Sequence, residues 1–255
     1  MDALIGYTGF VGTTLLRQRR FDALYRSTNI DEIVGKTFDT VVCAGAPAQK
    51  WLANKDPADD IKKINNLIEK LKTISCQKFI LISTVDVFKD PVNVDETTSI
   101  ETEGLHAYGA HRYYLEQFVS KQFPDNLIIR LPGLVGPGLK KNIIYDFLHK
   151  NNILQIESRS VFQFYPMINL WYDINIALQH KLSLVHLTAA PISVADIAQH
   201  SFGFEFCNHI QDKPGYYDMK SRHSHLFTND HDYQYNRRES LMAIRAYAQS
   251  EIGSN

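Results

Sequence analysis

Tyr108 and Arg112 stand four residues apart in "AYGAHRYYLEQF" (107–118). In a helix that spacing sets both side chains on one face, one turn apart. A phenol held beside a fixed cation is a candidate proton donor and acceptor, although a surface helix carrying Tyr and Arg would show the same letters. A second group is Gly6, Gly9 and Gly12, which with Thr8, Phe10 and Val11 forms G-x-x-G-x-x-G straight after an apolar run. One glycine there permits a tight turn and one lets backbone N–H groups approach a pyrophosphate. The last packs helix on strand, and the helix N-terminus faces the anion. The same loop without a ligand would be a glycine-rich turn. A third group is small or hydroxylic: Ala44 and Gly45 in "CAGA", and Thr84 in "IST".

The elements that must position these groups alternate. "ALIG" (3–6) reads as a strand, followed by a helix whose stripe is Phe10, Val11, Leu15 and Leu16. "FDALYRS" is a second strand, and "NIDEI" a helix start with Asn29 as N-cap and Glu32 completing a capping box. "DTVVCAGA" (39–46) is a buried strand. Residues 59–74 set Ile61, Ile64, Leu67, Ile68, Leu71 and Ile74 on one helical face, and "KFILISTVDVF" (78–88) is a strand covered on both sides. The helix of Tyr108 and the strand opening "NLIIRLPGLVGPG" (126–138) follow. Such alternation predicts an α/β fold with a parallel sheet and right-handed crossovers, whose ligands sit beyond the carboxyl ends of the strands. The glycine loop, "CAGA" and "IST" all fall at those ends.

The second strand ends at Arg26-Ser27, and the nearest acids, Asp31 and Glu32, belong to the capping box. An acid there would bind a ribose 2′-hydroxyl, whereas a guanidinium suits a 2′-phosphate, so NADP is favoured over NAD. A solvated Arg26 is the alternative.

Composition narrows the class. Across 255 residues, 44% hydrophobic and 22% charged content describes a globular chain, and a net charge of −1 offers no field for nucleic acid or a membrane surface. No apolar run reaches the ~18 residues of a membrane span. The start "MDALIGYTGF" lacks the marks of a signal peptide, and Cys43, Cys76 and Cys207 are odd in number and scattered. A cytoplasmic location is expected. His223, His225 and His231 lie in a polar tract without a metal-ligand spacing, so no metal is expected.

The glycine loop, "CAGA", "ISTVDVF", "YGAHR" and "RLPGLVGPG" follow one another in the order and spacing of the extended short-chain dehydrogenases/reductases. These include nucleotide-sugar epimerases, dehydratases and reductases, and residues 1 to 140 resemble them well, the remainder loosely. The resemblance implies a Rossmann-like, doubly wound sheet over 1–135 and a smaller, partly interleaved substrate lobe over 136–255. It implies an NAD(P)-dependent enzyme acting on a nucleotide-activated sugar, and possible pairing of two copies through a four-helix interface of 59–74 and 108–120.

Matched residue by residue, Thr84 falls on the family's active-site Ser/Thr and Tyr108 on its catalytic tyrosine. Pro132 and Gly133 fall on the loop passing the nicotinamide, and Ala44 and Gly45 lie under the cofactor. Two positions depart: Arg112 stands where the family has Lys, and the family's helical Asn falls at Asp59 or Asp60. Arginine can lower a phenol's pKa and contact a cofactor ribose, but its own pKa above ~12 makes it a poor proton relay. Asp86 matches a catalytic acid of the nucleotide-sugar 4,6-dehydratases, although its neighbour is Val85 rather than a second carboxylate, and a strand-end turn residue is the alternative. Lys140, Lys141 and Asn142 are placed to meet a diphosphate or base, with Tyr165 and Trp171 as a stacking wall, or they form a surface loop and an aromatic core. An enzyme is the leading reading. The competitor is a non-catalytic dinucleotide-binding sensor or scaffold that has lost the lysine, and such a protein would need neither Thr84 nor Tyr108.

Overall fold

A computed structural model of the chain describes residues 1–210, 212–228 and 232–251. His231 therefore lies outside the described residues. The chain divides into two units, one of residues 1–89, 98–130 and 174–185, the other of 90–97, 131–173 and 186–255.

The first unit carries a six-stranded sheet. Its strands β1 (Asp2–Ile5), β2 (Ala23–Tyr25), β3 (Thr37–Cys43) and β4 (Ser75–Thr84) are joined by the strands Asn126–Leu131 and Leu184–His186. From one edge to the other the order is Leu184–His186, Asn126–Leu131, β4, β3, β1, β2. β1 pairs in parallel with both β2 and β3, so the direction of winding reverses between β1 and β3. That reversal opens the crevice in which sheets of this kind bind ligands.

The helices are α1 (Phe10–Gln18), α2 (Lys50–Lys55), α3 (Pro57–Leu71) and α4 (Ala107–Gln122). The stripe read from the sequence is the buried face of α3: Ile64, Leu67, Ile68 and Leu71 join Val41, Cys43, Phe79 and Leu81 of the sheet and Leu115 and Val119 of α4 in one core. Pro57 opens α3 without needing its missing N–H, and the Asp56 side chain accepts from Asp59 N. Phe79, Ile80 and Leu81 are buried on both faces of β4, as their unbroken apolar run requires.

Asn29 differs from expectation. No capping box forms: residues 30–33 make one 3₁₀ turn with no side-chain cap. The Asn29 amide instead accepts from Arg26 N and donates to Leu24 O, bracing the end of β2. Glu32 is thereby left exposed on the turn.

The second unit holds short strand pairs, among them Gly133–Val135 with Phe164–Pro166, and a C-terminal helix, Arg237–Glu251. No described helix is long and apolar enough to cross a membrane, and no metal-binding cluster of His, Cys, Asp or Glu occurs among the described residues.

Candidate active site

β1, β3 and β4 are neighbours, and their carboxyl ends carry Gly6, Ala44–Gly45 and Thr84 side by side. Gly6 has a φ of 85°, and a Cβ there would stand 2.3 Å from Ala44 O, so the chain turns tightly against the end of β3. A Cβ on Gly12 would stand 2.1 Å from Gly6 O, which is the close packing of helix on loop. Gly9 is different: a Cβ would meet nothing nearer than Gly6 O at 3.5 Å. It is exposed, with an ordinary φ of −76°, at an N-cap of α1 that has no side-chain cap bond. Packing within the protein explains Gly6 and Gly12, whereas Gly9 keeps space clear outside, before the bare N–H groups of a nine-residue helix. That arrangement fits the pyrophosphate of a dinucleotide.

Thr8 is exposed, and Phe10 and Val11 are half-buried at the start of α1. Tyr25 pairs with Ile5, so Arg26 and Ser27, both exposed, begin level with Gly6 on the adjacent strand.

Tyr108 reaches Thr84 because α4 docks its first turn on the end of β4. A Cβ at Gly109 would stand 2.0 Å from Asp86 O, so only glycine permits the approach. A glycine inside a helix costs about 1 kcal/mol relative to alanine, and this cost in "AYGAHR" was a readable sign of a close contact. His106 caps the helix, its Nδ1 accepting from Gly109 N at 3.0 Å. Burial, with the Lys50 ammonium nearby, pushes the His106 imidazole below its ordinary pKa, which keeps that nitrogen an acceptor.

The Tyr108 hydroxyl lies near the Thr84 side chain, whose hydroxyl favours the phenolate. Thr84 Oγ1 accepts from Asp86 N at 3.2 Å and donates to the Asp86 carboxylate at 3.4 Å. The other carboxylate oxygen receives Lys50 Nζ at 2.7 Å. Thr84, Asp86 and Tyr108 are thus brought together, along with a residue that the sequence reading missed, Lys50 of α2.

Arg112 is not a surface residue. Its side chain is 3% exposed and its guanidinium sits over the Tyr108 ring, 4.0 Å from the centroid. Both Nη groups bond Asp60, one of them at 2.9 Å, and Nη2 also donates to Pro47 O. Nε is buried and has no hydrogen-bond partner among the described residues. Asp60 is 4% exposed and also meets His111 at 2.7 Å. Arg112 and Asp60 form one buried unit: a buried guanidinium needs a carboxylate, and Asp60 supplies it.

The phenol does not titrate low. Burial raises the Tyr108 pKa above the ordinary tyrosine value, helped by the Asp86 carboxylate, and outweighs the lowering by Arg112, Lys50 and the Thr84 hydroxyl. Arg112 does pull the phenol down, as expected of a cation beside it, but burial outweighs that pull.

In the second unit, Pro132 is buried while Lys140 and Lys141 are exposed. Asn142 and Tyr165 require correction. Asn142 caps the helix Ile143–His149: its amide oxygen accepts from Ile144 N and Tyr145 N, and its amide nitrogen donates to Leu134 O. Its polar atoms are committed to the fold rather than to a substrate. Tyr165 is fully buried, edge-on to Tyr235, with its hydroxyl 2.5 Å from Asp173, so its ring cannot be a stacking wall. Trp171 is half-buried. In the first unit, a groove of about 590 Å³ lined by Tyr113, Glu116, Lys121 and Arg130 contains none of the catalytic, cofactor or substrate residues expected from the sequence.

Asp173 carries a pH prediction. Burial pushes its carboxyl up to about 6, against hydrogen bonds from Tyr165 and Tyr235. The folded state then holds this proton more tightly than the unfolded chain, so the associated stability is full below about pH 4 and lost as pH rises through 6. Relative to Asp173→Asn, wild type should lose about 2–3 kcal/mol between pH 4 and pH 7. Urea denaturation of both proteins checks it; parallel stability curves would refute it.

A profile of the NAD dependent epimerase/dehydratase family matches residues 18–158, more than half of the chain, including Thr84, Tyr108 and Arg112 but starting after the glycine loop. No curated protein matches the sequence. Among solved structures, the dTDP-4-dehydrorhamnose reductase of Clostridium acetobutylicum superposes with a TM-score of 0.72 at 16% identity, over 98% of this chain and 99% of that one. The UDP-N-acetylglucosamine 4-epimerase of Methanobrevibacter ruminantium, solved with UDP-N-acetylmuramic acid, gives 0.77 at 13% identity, over 100% and 98%. The Bacillus anthracis dTDP-4-dehydrorhamnose reductase, in complex with NADP, gives 0.71 at 16% identity, over 98% of each chain. The identities are low enough that these likenesses speak for the fold, and the profile speaks for the lineage: the chain belongs to the NAD dependent epimerase/dehydratase family, with that family's Rossmann-like sheet and NAD(P) as its cofactor.

Proposed function

We propose that the protein is an NADP-dependent reductase acting on a carbonyl carbon of a nucleotide-activated sugar. The observation that carries this reading is the close docking of the Tyr108 helix on the end of β4, where Gly109 meets Asp86 O and Tyr108 comes beside Thr84 with Arg112 over its ring. The nicotinamide, when bound, supplies the hydride. A carbonyl oxygen then gains negative charge and needs a hydrogen bond and a proton. Thr84 holds that oxygen and Tyr108 gives it the proton. Arg112, fixed by Asp60, favours the phenolate left behind. Asp86 is engaged by Lys50 and Thr84 and lacks the carboxylate neighbour of a dehydratase, which argues against elimination chemistry. The reductases and epimerases that share this fold act on sugars linked to dTDP or UDP by their names, which supports that substrate class.

The test follows loss of NADPH absorbance on adding dTDP-4-dehydrorhamnose and the 4-keto forms of UDP- and GDP-sugars. Consumption with one of them supports the proposal. Tight NADPH binding without consumption of any would favour the sensor reading instead.

Cofactor choice is a separate expectation. If Arg26 and Ser27 hold the 2′-phosphate, NADPH should bind about tenfold tighter than NADH or more, a difference of ~1.4 kcal/mol. Calorimetric titration of wild type and Arg26→Ala decides it: the preference should collapse in the variant, and a ratio near one in wild type rules the assignment out.

A further inference from the structure

A tyrosine that gives up its proton at every turnover has to be recharged from water, and the route must pass through groups that can release a proton. Arg112 cannot serve. Its guanidinium does not deprotonate in a working pH range, its side chain is 3% exposed, and its Nη groups are committed to Asp60 and Pro47 O. The groups that face Tyr108 from the elements around it are Arg112 on α4, His106 at the cap of α4, Asp86 after β4, and Lys50 on α2. Of these, His106 uses Nδ1 to cap its own helix.

One hydrogen-bonded line leads outward. It starts at Thr84, which lies beside the Tyr108 hydroxyl, and runs from Thr84 Oγ1 to the Asp86 carboxylate and from the other carboxylate oxygen to Lys50 Nζ, whose side chain is 38% exposed. Lys50 is thus both titratable and wetted by solvent.

We infer that charge and proton supply are divided between two residues here: Arg112 provides fixed positive charge beside Tyr108, and Lys50, through Asp86 and Thr84, provides the exchangeable proton. The inference rests on the reductase reading. In the reductive direction the Tyr108 O–H bond breaks as the product O–H bond forms. The Lys50 ammonium gives a proton to one oxygen of the Asp86 carboxylate, rotation of the carboxyl group turns that O–H toward Thr84, and Thr84 accepts it while passing its own hydroxyl proton to the phenolate. The Lys50 amine regains its proton from water, so one proton passes from solvent to product and every residue returns to its starting state. Lys50 is a positioning residue in this scheme, because it acts through Asp86 and Thr84.

Two measurements test it. The first needs no turnover: ¹⁹F NMR of protein labelled with 3-fluorotyrosine, with the Tyr108 resonance assigned by its loss in Tyr108→Phe, gives the phenol midpoint directly. Lys50→Gln should raise that midpoint by about 0.5 pH unit or more, while Lys50→Arg, which keeps the charge, should leave it near wild type. The second is the pH–rate profile with NADPH and the best keto-sugar. Lys50→Arg should lose about tenfold or more in kcat with KM and NADPH affinity within about twofold. A Tyr108 midpoint unmoved in Lys50→Gln overturns the inference whether or not the enzyme turns over. Wild-type kcat in Lys50→Arg overturns it too, because charge alone would then suffice. If wild type binds NADPH but reduces no sugar, the reductase reading fails, and the phenol titration still decides whether Lys50 is coupled to Tyr108.

Discussion

Tyr108→Phe is expected to lower turnover by about 10²-fold or more while leaving NADPH affinity nearly unchanged. The substitution removes one oxygen and keeps the ring that lies under the Arg112 guanidinium at 4.0 Å, so packing and the cation–π contact survive. It deletes the proton that the proposed reduction needs. Because burial and Asp86 hold the phenol above its ordinary pKa, the wild-type donor stays protonated across neutral pH. Reduction should therefore persist toward alkaline pH until Tyr108 itself ionises, and Tyr108→Phe should lack that limb. Steady-state kinetics with a turned-over keto-sugar give both readings. Wild-type turnover in the variant would place proton transfer on another group, of which Asp86 is the nearest.

Much of the first unit could be read from the sequence because its signals are local and periodic. The α3 stripe, the apolar start of β4 and the glycine loop each depend on spacing within one element, and all three sit where the alternation put them. Residues whose partners are distant in sequence were not legible. Nothing in "AQKWLANK" marks Lys50 for Asp86, 36 positions later. Nothing in "DPADD" says that Asp60 rather than Asp59 meets Arg112, 52 positions later. Asn142 and Tyr165 show the opposite failure: their types suit ligand contact, but a φ of 107° at a helix cap and a buried ring consume the same polar atoms inside the fold. Gly109 was legible but unread, since a helix tolerates glycine in its first turn when another backbone presses on it.

Arg112→Ala should destabilise the protein by about 3–5 kcal/mol, more than a lost cofactor contact could explain. The guanidinium is the partner of a carboxylate that is itself 4% exposed, and the variant leaves Asp60 with His111 as its remaining partner named by geometry. Burial alone would raise the Asp60 pKa, but hydrogen bonds from Arg112 and His111 hold it below the ordinary value. A depressed carboxyl contributes stability that is present above its unfolded pKa of about 4 and is lost as pH falls through the folded value. The cost of Arg112→Ala should therefore be full at neutral pH and shrink in acid, where Asp60 can protonate. Arg112→Lys keeps the charge but replaces a two-pronged donor with a single ammonium, so a smaller loss is expected. Combining Arg112→Lys with Asp60→Asn removes the need for the fork and should recover part of that loss. Urea denaturation of the three variants at pH 7 and pH 4, alongside wild type, measures all of this. Should Arg112→Ala unfold at the wild-type urea concentration at pH 7, the buried pair contributes nothing, and Arg112 would have to be explained by what it offers a cofactor.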